Sequence, residues 1–299
     1  MPEPSPPKSW MLLAGVCCAV VLTAALLLFD WNSSPESESF VKNVPFLIWA
    51  VLLCSQTALW TLLAIPLWRS LRGLVADYRF DRGIAARLAI SVAVVAFLVA
   101  VFVGFSVPVV PDYPFAHHRA KILTLTAGGF LVALVAMIGI WLVEAASTQL
   151  LLAPRERQLP EYLRLRADLR RFLGAAAAII GAATLSTGGL RSAILSNVKG
   201  VEFPAEYVLY YGAYFSVVLL LAYAPAYLAF RDVGRHLLES LLPIPSDAPD
   251  SWADWYADRK ALEGLLELDV ATSKALQSGL AIATPFVGSA IGVLLGTRG

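Results

Sequence analysis

Residues 121–144 read KILTLTAGGFLVALVAMIGIWLVE. Between Lys121 and Glu144 lie 22 residues without a charge. A helix of that length, rising about 1.5 Å per residue, covers the roughly 30 Å hydrocarbon layer of a bilayer. The pattern recurs along the chain, with charge-free windows of 21, 26 and 24 residues from Lys8 to Asp30, Lys42 to Arg69 and Arg87 to Asp112. Further windows of 19, 24 and 23 residues run from Arg171 to Arg191, Glu206 to Arg231 and Lys274 to Arg298.

The 299-residue chain is 58% hydrophobic and 15% charged, with a mean hydropathy of +0.69. A soluble domain needs more polar surface. Irregular backbone is excluded from the windows because an unpaired amide costs several kcal/mol in lipid. The alternating short strands of an outer-membrane barrel are not seen. The fold class is therefore all-α, a polytopic helical membrane protein with six or seven transmembrane helices. Six are expected at about 9–29, 44–68, 88–110, 121–150, 170–190 and 207–230. An acidic helical segment, 231–274, and a small-residue-rich seventh membrane segment with the C-terminus, 275–299, follow.

Sorted by connection, the 23 Lys and Arg residues number 1, 1, 5, 2, 6, 2, 5 and 1 from N- to C-terminus. Rich and poor connections alternate after the first helix, as the positive-inside bias requires when the N-terminus is cytoplasmic. Trp10, Trp31, Trp68 and Trp141 fall at window edges, where an indole faces lipid while its N–H reaches water. The first helix is expected to be retained, because Glu3 accompanies Lys8 and no small-x-small site follows before Asp30. The chain is placed in the cell membrane, with lipid as its first partner.

The seventh segment, Gly279 to Gly296, contains Pro285. Thr284, Gly288, Gly292 and Gly296 recur every four residues, a stripe that lets another backbone approach closely. Such a helix lines a pore or packs tightly, within this chain, against another copy or against another membrane subunit. If it re-enters or lies flat, the count is six.

Two cytoplasmic regions have opposite charge. Pro154 to Arg171 carries net +3 and is expected to lie as a helix along the headgroups. Arg231 to Lys274 carries net −4 and breaks into two helical stretches around Pro243 to Pro249. Ser251 with Asp254 has N-cap spacing. Asp254, Asp258 and Glu263 are expected to dock against the arginine-rich loops of this or a neighbouring subunit, Arg164 and Arg166 among them; the alternative is a solvated amphipathic connector.

No carboxylate, lysine or arginine lies deep in a window, which disfavours proton- or sodium-coupled transport. Glu144, about 33 Å along its helix from Lys121, belongs near the interface. The polar candidates for ion or solute contact are Gln56, Thr184, Ser186, Thr187 and Tyr214. In the run Leu185-Ser186-Thr187-Gly188-Gly189 the fifth helix could loosen and expose carbonyls; the commoner behaviour is that Ser and Thr bond to their own backbone or to a neighbouring helix. Tyr214, deeper than Tyr207 and Tyr211, needs a hydroxyl partner.

No hydrolase elbow, zinc-protease pair, dinucleotide loop or phosphate loop is present. No catalytic residue, cofactor or metal is expected: adjacent His117 and His118 do not share a helical face, and Cys17, Cys18 and Cys54 lie in apolar helices. The basic loops suit anionic lipid, not nucleic acid. The leading expectation is a small oligomeric channel or pore for ions or small solutes, with cytoplasmic helices for gating or assembly. A secondary transporter and a noncatalytic subunit or scaffold for a cytoplasmic partner are the alternatives.

Overall fold

The computed structural model describes residues 9–106, 110, 112–245, 252–268 and 272–296, and their regular structure is helical. In chain order the helices are α1 (Ser9–Leu28), α2 (Pro35–Val41), α3 (Val44–Asp77), α4 (Arg82–Ser106) and α5 (His118–Gln149). There follow α6 (Arg155–Asn197), α7 (Ala205–Leu241), α8 (Trp252–Leu266) and α9 (Thr272–Gly296). Six of them, α1, α3, α4, α5, α6 and α7, are long and apolar enough to cross a membrane. Their exposed side chains include Leu22, Val51, Ile90, Phe97, Leu131 and Leu221, a surface that calls for lipid rather than water. The expected Ser251 cap and Pro108, Pro111 and Pro249 lie outside the described residues.

Beyond α1, the membrane elements run longer than their charge-free windows. Arg155–Arg171 is not a separate helix along the headgroups; it is the first part of α6, whose 43 residues span about 65 Å. The physical reason is a second packing face. Gln158, Tyr162, Leu165 and Leu169 are buried on one side of the basic stretch, so the helix continues past the apolar core instead of turning onto the surface. The Leu185–Gly189 run is also regular helix. Ser186 and Thr187 bond back to the Ala182 and Ala183 carbonyls at 2.9 and 3.0 Å, and no carbonyl is released there.

α6 is the centre of the bundle, packed by α3, α5, α7 and α9. Its glycines and alanines allow close approach. Phe172 lies on Gly139 of α5 where a Cβ has no room, and Ala175, Ala176 and Ala177 are buried beside it. The largest core cluster joins Leu67, Ile140, Val143, Phe172, Leu219 and Phe230 at the arginine-rich end. A second, at the aromatic end, joins Phe40, Phe46, Trp49, Tyr113, Phe115 and Phe203. There the buried Lys121 ammonium donates to the Leu27 and Phe29 carbonyls at 3.0 and 2.5 Å, capping the C-terminal carbonyls of α1.

α9 lies against α6 and α7. Its contacts run parallel to α6: Thr284 meets Gly181, and Gly288 meets Thr184. On the other side Pro285 and Ser289 meet Gly212 of α7. α4 is the most peripheral of the long helices, burying only Val95.

Candidate functional site

A cavity of about 120 Å3 lies inside the bundle, between α3, α4, α5, α6 and α7. Gln56 of α3 and Ser186 of α6 meet on its wall, with the Ser186 hydroxyl 2.7 Å from Gln56 Oε1 and both residues buried. Thr187, Thr126 and Tyr211 add hydroxyls. Trp60 adds an indole N–H that is buried and has no hydrogen-bond partner among the described residues. The indole fits because Gly128 and Gly129 leave room for it: a Cβ on Gly129 would stand 2.5 Å from the Trp60 ring. None of the described lining residues is charged.

The other sequence candidates are placed elsewhere. Thr184, fully buried, points to α9, its hydroxyl 2.8 Å from the Gly181 carbonyl and 2.9 Å from that of Pro285. Tyr214 donates to the Leu98 carbonyl at 2.7 Å and packs at a tilt of 34° against Phe102 with ring centres 5.0 Å apart, joining α7 to α4. Tyr211, one turn earlier, lines the cavity in its place. Sequence reasoning missed Tyr211, Trp49, Trp60 and Thr126 as wall residues. The small pair Gly128–Gly129, about two turns beyond Lys121, was the available sign of a large ring seated opposite.

Thr284 and Gly288 face α6, where a Cβ on Gly288 would stand 2.7 Å from Thr184 Oγ1. Gly292 and Gly296 follow in the same helix.

At the arginine-rich end a polar hub ties α3, α6 and α8 together. Arg164 donates to Asp77 of α3 at 2.5 Å, and Tyr78 donates to Glu161 at 2.8 Å. Burial, and next the Glu161 carboxylate, hold the Tyr78 phenol above its ordinary pKa, so it remains a donor. Arg166 donates to the Leu265 carbonyl at 2.7 Å and stands 3.6 Å from Glu267. Arg170 also pairs with Glu267. Glu267 follows α8 with φ 56°, a left-handed conformation that non-glycine residues seldom adopt. Tyr162 reaches the Leu266 carbonyl at 3.1 Å. The acid of segment 231–274 that meets Arg166 and Arg170 within the chain is thus Glu267. Glu263 pairs within α8 with Arg259 at 3.5 Å, while Asp254 and Asp258 are exposed.

His117 stands 3.3 Å from Asp30, and His118 3.4 Å from Asp112. Among the described residues no group of three or more His, Cys, Asp or Glu side chains is placed to hold a metal.

Six apolar helices, α6 central among them, with apolar side chains on their outer surfaces, define a polytopic α-helical integral membrane protein. Compared with family models, characterised proteins and solved structures, the chain gives no match.

Proposed function

We propose that this protein is a channel-type facilitator that passes a small uncharged polar solute through the cavity around Gln56 and Ser186. The observation that carries the reading is that polar pair, buried in the bundle on the wall of a space of about 120 Å3. Such a space has room for a few molecules the size of water, about 30 Å3 each. An amide, hydroxyls and an indole N–H can exchange hydrogen bonds with a neutral solute, whereas an ion would be stripped of water without a compensating charge. The arginine-rich end is assigned to the cytoplasm by the positive-inside bias. On this reading α9 is a seventh crossing element, since its contacts follow α6 from one end of the bundle toward the other. The α6–α8 hub then serves as the gate or assembly point.

The test is flux into proteoliposomes. Urea or glycerol uptake that is passive and non-saturable in the millimolar range, without ionic conductance, is the expected result. Saturable uptake that depends on a gradient would move the assignment to a transporter; conductance with no solute flux would reject the uncharged-solute reading.

One observation favours a second role, as a membrane subunit for a cytoplasmic partner. α8 leaves Trp252, Tyr256 and Leu265 exposed, a rigid aromatic face suited to contact. A partner that copurifies with the intact protein and is lost in a Trp252→Ala, Tyr256→Ala variant would establish it.

A further inference from the structure

A second groove, of about 380 Å3, runs between α4 and the face formed by α5 and α7, within the roughly 300–1,000 Å3 of small-molecule sites. Its mouth carries charges of both signs: the Arg87 guanidinium on α4 and the Glu144 carboxylate on α5. Among the described residues neither makes a hydrogen bond or a direct ion pair, and the opposite charge that acts on Glu144 is that of Arg87 itself, across the groove without contact. A charge at the edge of hydrocarbon is costly unless it is matched. Deeper in, the walls become apolar, with Val94 and Leu98 from α4 and Val218 from α7.

Two further features point the same way. Pro225 lines the groove together with Leu221, and a proline has no N–H for the carbonyl four residues earlier. The Leu221 carbonyl is therefore left without its usual helical donor, in a turn of α7 that lines the groove. The outer wall, α4, is the long helix least embedded in the bundle, so a molecule can enter from the bilayer without breaching a core.

We propose that this groove binds the headgroup of a phospholipid bearing a primary ammonium, with its phosphate on Arg87, its ammonium on Glu144 and the Leu221 carbonyl, and an acyl chain along Leu98 and Val218. The charge pattern selects this occupant. A phosphatidylglycerol headgroup would bring the phosphate without a cation for Glu144, and a trimethylammonium has no N–H to donate to the carboxylate or the carbonyl. A helix from a second copy would have to supply two opposite charges at one depth. The site is independent of the transport reading.

Delipidated full-length protein in detergent is titrated with phosphatidylethanolamine, its N-methyl and N,N-dimethyl forms, phosphatidylcholine and phosphatidylglycerol, and bound lipid is read by native mass spectrometry. Affinity should fall stepwise with methylation, by about tenfold overall, the scale of a charge-assisted hydrogen bond. Glu144→Gln should erase the preference for the ethanolamine lipid over the choline lipid. Arg87→Gln should weaken both. Because Glu144→Gln could disturb folding, Ser91→Phe serves as a second variant: it leaves both charges in place and fills the groove, and should lower binding of every lipid with helix content unchanged. Equal binding of the ethanolamine and choline lipids would overturn the proposal, as would a stronger hold on phosphatidylglycerol or a preference that survives Glu144→Gln. Displacement by millimolar soluble phosphoethanolamine would also overturn it, showing a site for the free headgroup and not for the lipid.

Discussion

The Ser186 hydroxyl of α6 stands 2.7 Å from the Gln56 side-chain oxygen of α3, and both residues are buried. Ser186 can return to the Ala182 carbonyl, 2.9 Å away, but Gln56 has no such intrahelical refuge for its oxygen. Ser186→Ala should therefore cost about 1–3 kcal/mol by stranding a buried acceptor. Gln56→Leu should cost less, and the double variant should be more stable than Ser186→Ala alone. Heat-induced unfolding in detergent gives the order; solute flux should fall in all three.

Close packing of α9 sets the next expectation. A Cβ on Gly212 would stand 2.6 Å from the Pro285 carbonyl and one on Gly181 2.7 Å from Thr284 Cγ2. Gly212→Ala and Gly181→Ala should each destabilise by about 1–3 kcal/mol, the usual cost of overpacking. Gly174, also on α6, has nothing within 4 Å of its would-be Cβ, so Gly174→Ala should be neutral or stabilising by up to about 1 kcal/mol. The same unfolding assay compares them, and equal losses at all three positions would refute the close-packing account.

Glu267 joins Arg166 and Arg170 to the end of α8. Glu267→Gln should loosen α8, seen as faster tryptic cleavage at Arg259 and Lys260. Glu267→Gly relieves the left-handed backbone but also removes the carboxylate. If strain dominates, cleavage slows; if the ion pairs dominate, as two arginines on one acid imply, it quickens.

Sidedness is testable by cysteine labelling in a background lacking Cys17, Cys18 and Cys54. Glu36→Cys should react with an impermeant maleimide in intact cells. Glu156→Cys should react only after permeabilisation. The reverse pattern would invert the orientation argued from the basic residues.

Much of this architecture was legible because charge is excluded from lipid. The interval from Lys121 to Glu144 marks α5 directly. What charge-free intervals cannot show is where a helix stops once it leaves the membrane. α6 runs back to Arg155 because Tyr162, Leu165 and Leu169 have a tertiary face to bury, and that face exists only when α7 and α8 are in place. The cavity was half legible for the same reason. Gln56 and Ser186 were visible as polar residues in apolar windows, but their meeting across 130 positions was not. Tyr211 and Tyr214, three residues apart, differ in role because one faces the bundle and the other reaches the Leu98 carbonyl on α4. Glu267 was one acid among nine in its segment; the fold alone sets it between two arginines.

The position of α9 has a consequence for how the molecule is made. α6 and α7 leave the ribosome before it, yet the seat it occupies is built from their glycines, Gly181 and Gly212. Until synthesis reaches residues 272–296, that seat is open to lipid or to a foreign helix. The cell must therefore hold an unfinished bundle in the membrane, and a premature stop there would leave a product with an exposed, adhesive seam.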